Sequence, residues 1–505
     1  MGYLEETMNL WIVAIFMAAQ LFGRDPSALS SYEEENGSDL LFSAAKTKQA
    51  LGKYEEAINC YKKNLLKETN EERRWTSLYM IGECFHHLGD WDQALFWYLE
   101  AFQTNPNRGD PLKKISAHYR LEGWNDVAYL FAKFGSKLPI DSGSFLNHYD
   151  FDEEISIAAY YTQFKEDGFQ VASDLVLKRD IPYFLKEQTY RNLLFYVQPL
   201  SKIDFFPIEI DLPFIADEIR WKPMNPSIRK MENGYEVICR SVNYTQQGAR
   251  DFHSFDEQGI FRSRNYLLRY SRDFELLSQH EIIEDVPREK MGYPMVQGLE
   301  DCRLFEFEEN TWFSCTTTDT NPTGSFQISL CRLGEELGDC RFVEELLPLK
   351  GPDPHRCEKN WLPFVQEKKL RFIYSYSPFI IYEPNIETGE CKTVLHYEPS
   401  QELSSFRGSA GPVPFKDGYL ILEHEVAFND SGRNYLHRFL FLNRDFKIME
   451  ISKPFIFRHF GVEFCCSMCW DHSETRLILA VGIEDCEAYL CTVEKETIAS
   501  LLSPP

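Results

Sequence analysis

Residues 358–378, EKNWLPFVQEKKLRFIYSYSP, begin with an acid, a base and an amide and continue as two apolar runs around the charged turn QEKK. Two strand-like runs joined by a short polar turn predict a β-hairpin. Four other stretches share this order of polar head, strand, turn and second strand. They are NPSIRKMENGYEVICRSVNY (225–244), LEDCRLFEFEENTWFSCTTT (299–318), FRGSAGPVPFKDGYLILEHEV (406–426) and GVEFCCSMCWDHSETRLILAVG (461–482).

Strand-only repeats of roughly 45 to 75 residues, with the length variation in loops, are typical of propeller blades. Five such units predict a five-bladed β-propeller over residues 201–505. The innermost strands of a propeller all begin at one end of the central axis. We therefore expect the five polar heads to converge there and to form one pocket.

The predicted pocket collects polar side chains from all five blades. Its candidate binding residues are Asn225, Arg240, Arg303, Glu358, Lys359, Asn360, Arg407, His424 and Asp485, and its candidate catalytic residue is Asp301; blade five also offers Glu463. The cations in this set predict a phosphate or diphosphate site, because guanidinium groups bind phosphate bidentately and ammonium groups act as point charges. Asp301 can protonate a departing oxygen if burial raises its pKa.

The first 200 residues show a different pattern. ALGKYEEAINCYKKNL (50–65), HLGDWDQALFWYLEAF (87–102) and LEGWNDVAYLFAKFG (121–135) each place a glycine before an aromatic residue and an alanine. The spacing of about 35 residues is typical of helix–turn–helix solenoids. These three units resemble the tetratricopeptide family. The sequence thus predicts a multidomain chain, with an all-α, tetratricopeptide-like region over residues 1–200 and an all-β propeller after it.

The composition narrows the class of partner. The 505 residues include 78 acids and 53 bases, for a net charge of -25, which disfavours nucleic acid as a binding partner.

The 14 cysteines form no pair of C-x-x-C motifs, and we interpret CCSMC (465–469) as buried thiols in a reducing, cytoplasmic compartment. The apolar segment Leu10–Gly23 is short for a membrane span, so we expect a first helix and no stable span.

The order of motifs in the second half is similar to that of the inverting β-mannoside phosphorylases and their β-1,2-mannosyltransferase relatives. The motifs are N-P, E-D-x-R, E-K-N, H-E and a late aspartate, within residues 215–495. The resemblance implies a general acid at Asp301, phosphate contacts at Lys359 and His424, and a sugar contact at Asp485. Cys302 replaces the family's proline and RGSAGP replaces its blade-four glycines and prolines, so donor and acceptor do not transfer.

Structural interpretations stand beside these functional ones. Asp301 and Arg303 could form an ion pair between blades, and Glu358, Lys359 and Asn360 could cap strand ends. Trp361 is expected to pack within its blade, with a platform for a sugar ring as the alternative.

Three functions remain open. The first is glycosyl transfer with inversion from a phosphate-activated donor to a glycan or protein acceptor; inorganic phosphate would make the reverse reaction a phosphorolysis. In this case nucleotide sugar or phosphate is a substrate, and no cofactor or metal is expected. The second is glycoside hydrolysis, which needs a second carboxylate to activate water. The third is a non-catalytic scaffold in which the helical repeats bind a protein and the propeller binds a glycan.

Overall fold

We describe a computed structural model of the chain. The structure describes residues 38–140, 143–216, 219–247, 251–288, 295–429 and 432–502. The apolar segment Leu10–Gly23 lies outside the described residues. The chain divides into two compact units, Met1–Gly168 and Phe169–Pro505.

The first unit is built from helices. They are α1 (Ser38–Ala50), α2 (Tyr54–Leu65), α3 (Glu71–His87), α4 (Trp91–Thr104), α5 (Asp110–Leu121), α6 (Asn125–Gly135), α7 (Asp150–Ala158), a 3-10 turn (Ala159–Tyr161) and α8 (Lys165–Leu175), which ends in the second unit. The second unit adds α9 (Tyr183–Tyr196) and a final helix, α10 (Lys495–Leu502).

The recurring glycines end the first helix of each pair. Gly52, Gly89 and Gly123 have φ values of +73°, +77° and +79°, in the left-handed region that glycine adopts without steric cost. The aromatic residue that follows packs on the next repeat in two cases: Trp91 stacks on His118 with ring centroids 3.4 Å apart, and Tyr54 stacks on His87.

The third unit departs from this pattern. Trp124 stacks instead on Tyr119, within its own helix pair, and remains 62% exposed. The next helix among the described residues, α7, begins at Asp150. The aromatic residue after the glycine therefore packs on the next repeat in the first two units and within its own repeat in the third.

The second unit contains five blades of four antiparallel strands each, and a parallel pairing of their outermost strands joins blades one and two into one sheet. Blade one is β4 (Lys222–Met231), β5 (Gly234–Val242), β8 (Phe261–Tyr270) and β9 (Leu276–Ile283), and blade two is β11 (Glu300–Phe307), β12 (Asn310–Thr317), β13 (Gln327–Leu337) and β14 (Cys340–Pro348). Blade three is β15 (Leu362–Gln366), β16 (Lys369–Tyr376), β17 (Phe379–Pro384) and β18 (Cys391–Tyr397), and blade four is β19 (Arg407–Phe415), β20 (Gly418–Asn429), β21 (Gly432–Leu442) and β22 (Ile448–Ile451). Blade five is β23 (Glu463–Trp470), β24 (Arg476–Ile483), β25 (Glu487–Glu494) and β1 (Ile203–Pro207).

Short strands lie outside the blades. They are β2 (Phe214–Ala216), β3 (Ile219–Arg220), β6 (Tyr244–Gln247), β7 (Asp251–Ser254) and β10 (Val296–Gln297). The strands β2 and β3 pair with each other, as do β6 and β7.

The blades close into a ring. The innermost strands contact each other in the cycle β4, β11, β15, β19, β23 and back to β4. The earliest strand, β1, forms the outer edge of the last blade through its pairing with β25. Closure of the ring in this way joins the two ends of the β region, and the five-bladed propeller predicted from the sequence is confirmed.

Strand direction fixes which loops meet at the pocket. Each innermost strand begins at one end of the axis, which we call the upper end, and the second strand of each blade returns to it. The connections between second and third strands therefore also lie at the upper end. They include the β6–β7 hairpin of blade one and the turn after β24 that carries Asp485.

The helices of the second unit pack on blade four. Arg438 donates to the Ser173 hydroxyl from Nη1 at 2.7 Å and forms a buried ion pair with Glu425 at 3.0 Å, and Tyr190 also hydrogen-bonds to Glu425. The part of α8 in the second unit, and α9, are thereby tied to blade four. In the described part of the chain, no helix has the length and apolar character needed to cross a membrane.

Candidate active site

The innermost strands are irregular where they begin. Asn225, Asp301 and Asn360 occupy the polar heads of blades one, two and three, and all three have a positive φ, of 41°, 49° and 63°. Register shifts interrupt β4 between Met224 and Ser227 and β11 between Glu300 and Arg303. Bulges of this kind re-aim side chains, and asparagine and aspartate tolerate the left-handed backbone better than other non-glycine residues.

Asp301 is held by blade one. Its Oδ1 accepts hydrogen bonds from Asn225 Nδ2 at 2.8 Å and from Arg240 Nη1 at 2.9 Å. The guanidinium of Arg240 is buried and also contacts the Ser263 hydroxyl and the Tyr244 hydroxyl, at 2.8 and 3.2 Å. Three predicted site residues from two blades therefore form one hydrogen-bonded group.

Lys359 joins this group through Glu300, a residue not among the predicted site residues. Glu300 lies 3.2 Å from Arg240 and 3.1 Å from Lys359 Nζ, so it links the cations of blades one and three. Lys359 also lies over the Phe326 ring, 3.7 Å from its centroid. Glu300 is the first acid of the E-D-x-R motif and stands immediately before Asp301. The motif could therefore have identified Glu300 as a site residue.

The charge state of Asp301 differs from the expected one. Burial by itself raises the pKa of a carboxyl group, but Arg240, Lys359 and the hydrogen bond from Asn225 together hold the pKa of Asp301 below its ordinary value. The carboxylates of Glu300 and Asp301 in turn raise the pKa of Lys359, against the effect of burial. The ligand-free pocket therefore contains an ionised Asp301 and not the protonated acid suggested by the sequence.

Asp485 has the opposite environment. It lies in the turn after β24 with φ +51°, and none of the described residues donates a hydrogen bond to its carboxylate. Burial and the neighbouring charges of Asp301 and Glu484 raise its pKa to about 6, although Arg240 and Arg433 act in the other direction. Two carboxylates of one pocket thus have pKa values shifted in opposite directions, as in sites with separate acid and base roles.

Arg407 lies at the rim of the pocket. It is exposed at the start of β19, and of the described residues none accepts a hydrogen bond from its guanidinium. Its charge acts, together with that of Lys359, on the exposed thiol of Cys357. A second rim cation that was not predicted, Arg433, interacts with Asp485 from blade four.

Arg303 makes contacts that hold blades together. Its guanidinium crosses the centre of the ring and donates to the backbone carbonyls of Ser409, Gly408 and Cys466, the last at 2.5 Å. Carbonyl oxygens of blades four and five therefore satisfy the Arg303 guanidinium. The ion pair with Asp301 considered as a structural alternative is replaced by the Asp301–Arg240 pair.

Glu358 faces its own blade. Its carboxylate accepts hydrogen bonds from Trp361 Nε1 at 3.1 Å and the Tyr374 hydroxyl at 3.2 Å, and burial raises its pKa. Trp361 is 1% exposed, in agreement with its expected packing role. Asn360 has a left-handed backbone conformation. Its backbone carbonyl lies against Gly408, and a Cβ at position 408 would come within 2.2 Å of that carbonyl oxygen.

His424 is buried in blade four. Its Nδ1 lies 2.9 Å from the Ser409 hydroxyl and its ring stacks on Tyr435, with ring centroids 4.8 Å apart. Burial, with His437 and the nearby arginines, holds the pKa of His424 well below its ordinary value, so the ring is neutral. The structure places this residue behind Arg407, with which it pairs across β19 and β20.

Two further groups of candidate residues have structural partners. The Glu463 carboxylate is fully buried and accepts hydrogen bonds from the backbone N–H groups of residues 457, 458 and 459. Cys465 and Cys466 are buried free thiols. Within the described ranges, no three His, Cys, Asp or Glu side chains are grouped to hold a metal ion.

The chain thus combines tetratricopeptide-like helices with a five-bladed propeller that carries a charged pocket on its axis. The tetratricopeptide repeat family matches residues 38–64. No curated protein sequence matches this chain.

Three solved structures similar to this chain are described as enzymes that act on mannose or mannosides. One is β-1,2-mannobiose phosphorylase from Listeria innocua in complex with β-1,2-mannobiose, with 12% identity, a TM-score of 0.41, and coverage of 60% of this chain and 99% of that one. Another comes from a study of mannoside phosphorylases and of hydrolases that target β-1,2-mannosidic linkages in Candida mannan, with 11% identity, a TM-score of 0.41, and coverage of 61% and 99%. The third is a mannose phosphorylase from Leishmania mexicana in complex with phosphate, with 12% identity, a TM-score of 0.37, and coverage of 59% and 91%.

Proposed function

We propose that this protein is a carbohydrate-active enzyme that transfers a glycosyl group, with inversion, from a phosphate-activated donor to an acceptor hydroxyl. The observation that carries the proposal is the ionised Asp301, held by Asn225 and Arg240, in a pocket that also contains Lys359 and Arg407. A fixed carboxylate base beside cations is the arrangement that a displacement of phosphate by a hydroxyl requires.

The reaction is a single displacement at the anomeric carbon. The Asp301 carboxylate accepts the proton of the acceptor hydroxyl while that oxygen bonds to the anomeric carbon. The bond between this carbon and the phosphate oxygen breaks, and the phosphate group leaves with the bonding electrons. Lys359 and Arg407 stabilise the charge of the departing phosphate, and Glu300 together with Arg240 positions Lys359 and Asp301.

In this proposal the nucleotide sugar or sugar phosphate is a substrate, and no separate cofactor takes part. Arg303 and His424, which were expected to contact phosphate, are assigned supporting roles. Arg303 fixes the innermost strands, and the neutral His424 orders the strand that carries Arg407. The tetratricopeptide-like region is proposed to bind a protein partner or a protein-linked acceptor.

Glycoside cleavage is a second candidate, favoured by the raised pKa of Asp485. A protonated Asp485 can donate its proton to a departing glycosidic oxygen while inorganic phosphate or water attacks the anomeric carbon. Glu358 and Glu463 are both engaged by other donors, so neither of these two carboxylates is placed to activate water.

Product analysis separates the two candidates. Wild-type protein is incubated with a panel of nucleotide sugars and sugar phosphates plus oligosaccharide acceptors, and in parallel with inorganic phosphate plus oligosaccharides. An anomer-inverted glycoside from the first mixture supports transfer, and an inverted sugar phosphate from the second supports phosphorolysis. Asp301→Asn is expected to abolish the transfer product, and transfer unaffected by this substitution would refute the proposal.

A further inference from the structure

Two β-hairpins project from the propeller at the upper end. In blade one, β6 and β7 form a hairpin between the second and third strands; we call residues 244–247 and 251–254 the blade-one arm. In blade four, β19 pairs with β20 only as far as His424, whereas β20 and β21 remain paired to Asn429 and Gly432. Residues 425–429 and 432–436 therefore extend beyond the innermost strand as the blade-four arm.

The blade-one arm presents an exposed phenylalanine on its pocket side. Phe252 pairs directly with Gln246, two residues after Tyr244, so Phe252 and Tyr244 lie on one face of the hairpin. That face looks toward the pocket, because the Tyr244 hydroxyl contacts Arg240 at 3.2 Å. The Phe252 ring packs edge-on against Tyr244 at 5.9 Å and is still 43% exposed.

The blade-four arm also presents an exposed phenylalanine, from the other side of blade five. Phe428 lies four residues after His424 and thus on the same face of β20, the face whose His424 ring contacts Phe464 of blade five at 5.3 Å. Phe428 is 56% exposed. Its direct partner, Arg433, interacts with the charge of Asp485.

The arms flank blade five. In the ring, blades one and four are the two neighbours of blade five, and the Asp485 turn of blade five lies at the same upper end. Residues from both arms lie within electrostatic range of Asp485, namely Tyr244 from blade one and Arg433 from blade four. Phe252 and Phe428 thus belong to hairpins on either side of the Asp485 turn, and we call the space between these hairpins the cleft.

We propose that this cleft binds an oligosaccharide, and that Phe252 and Phe428 are platforms for the faces of its sugar rings. This inference rests on the proposed function, for which it names the acceptor class: a glycan chain of several units. Exposed aromatic rings beside polar groups suit a sugar, which has a face of C–H groups and an edge of hydroxyls. Asp485 and Arg433 are placed to bind those hydroxyls.

The test measures binding without turnover. Wild type, Phe252→Ala, Phe428→Ala and the double variant are titrated calorimetrically, without donor, with β-1,2-linked manno-oligosaccharides of increasing length and with the glycans of a general panel. We expect wild-type affinity to rise with chain length, and each alanine variant to lose about five- to tenfold on the longest bound glycan. Phe252→Trp should retain affinity, and Phe342→Ala, an exposed phenylalanine on β14 of blade two, should behave as wild type.

Equal binding of short and long glycans by wild type, unchanged affinity in the double variant, or no binding of any glycan would overturn the inference. Failure of the proposed function is recognised separately. It would appear as undiminished product formation by Asp301→Asn, whatever the arm variants do.

Discussion

Arg240 Nη1 lies 2.9 Å from Asp301 Oδ1, in a contact that joins two blades and residues 61 positions apart in the chain. The guanidinium is buried, and its partners also include Glu300 and Tyr244. This pair fixes the carboxylate on the propeller axis and, with Lys359, keeps it ionised. The proposed chemistry depends on that geometry.

Replacement of the base should stop the reaction without unfolding the protein. Asp301→Asn retains the size of the side chain but cannot accept a proton, so we expect turnover to fall at least about 100-fold. The far-ultraviolet circular dichroism spectrum and donor affinity should change little. Glu306→Gln, on the same strand, is the matched control. Comparable activity in the two variants would show that Asp301 is not the base.

We expect Lys359 to contribute to donor binding and Arg303 to contribute to the stability of the fold. Lys359→Ala removes a cation from the pocket, so we expect the KM for the donor to rise about tenfold with a small change in unfolding free energy. Arg303→Ala leaves buried carbonyl groups without a donor and should lower the free energy of unfolding by about 2 to 4 kcal/mol. Donor titrations and urea unfolding of both variants test this division, and the reverse pattern would contradict it.

Asp485 should make stability depend on pH. Its pKa is raised from 3.8 to about 6 in the folded state, so the unfolded chain loses this proton first as pH rises. The free energy of unfolding should therefore fall between about pH 4 and pH 6, by at most about 3 kcal/mol. Asp485→Asn should be more stable than wild type at neutral pH, with the difference vanishing near pH 4. Urea unfolding across this range measures the effect; a difference independent of pH would contradict the assignment.

Cys357 provides a reporter for the rim of the pocket. It is an exposed thiol influenced by the charges of both Lys359 and Arg407. A maleimide reagent should label Cys357 fastest, because every other cysteine is at least partly buried. The reaction is run at mildly alkaline pH because burial raises the pKa of the Cys357 thiol and the thiolate is the reactive form. Saturating donor should slow this labelling, and Cys357→Ser should remove the fast phase. Mass spectrometry of tryptic peptides identifies the site, and a rate unaffected by donor would place the donor elsewhere.

The repeated layout of polar head, strand and turn was sufficient to predict the blades and the convergence of Asn225, Arg240, Asp301 and Lys359. It could not predict the bulges at the heads, because they depend on how neighbouring innermost strands pack around the axis. Those bulges direct Asp301 toward blade one, while Arg303 crosses to blades four and five. The two arms were also missed, since nothing in the local pattern distinguishes an extended hairpin from a longer blade.

The sequence by itself determined the architecture, since apolar periodicity, turn residues and recurring glycines act locally and repeat along the chain. The tertiary structure alone decided the protonation states of Asp301 and Asp485. The pKa of a carboxyl group depends on its burial and on charges contributed by other blades, and only the closed ring brings Arg240 and Lys359 to one aspartate while it leaves the other without a hydrogen-bond donor among the described residues.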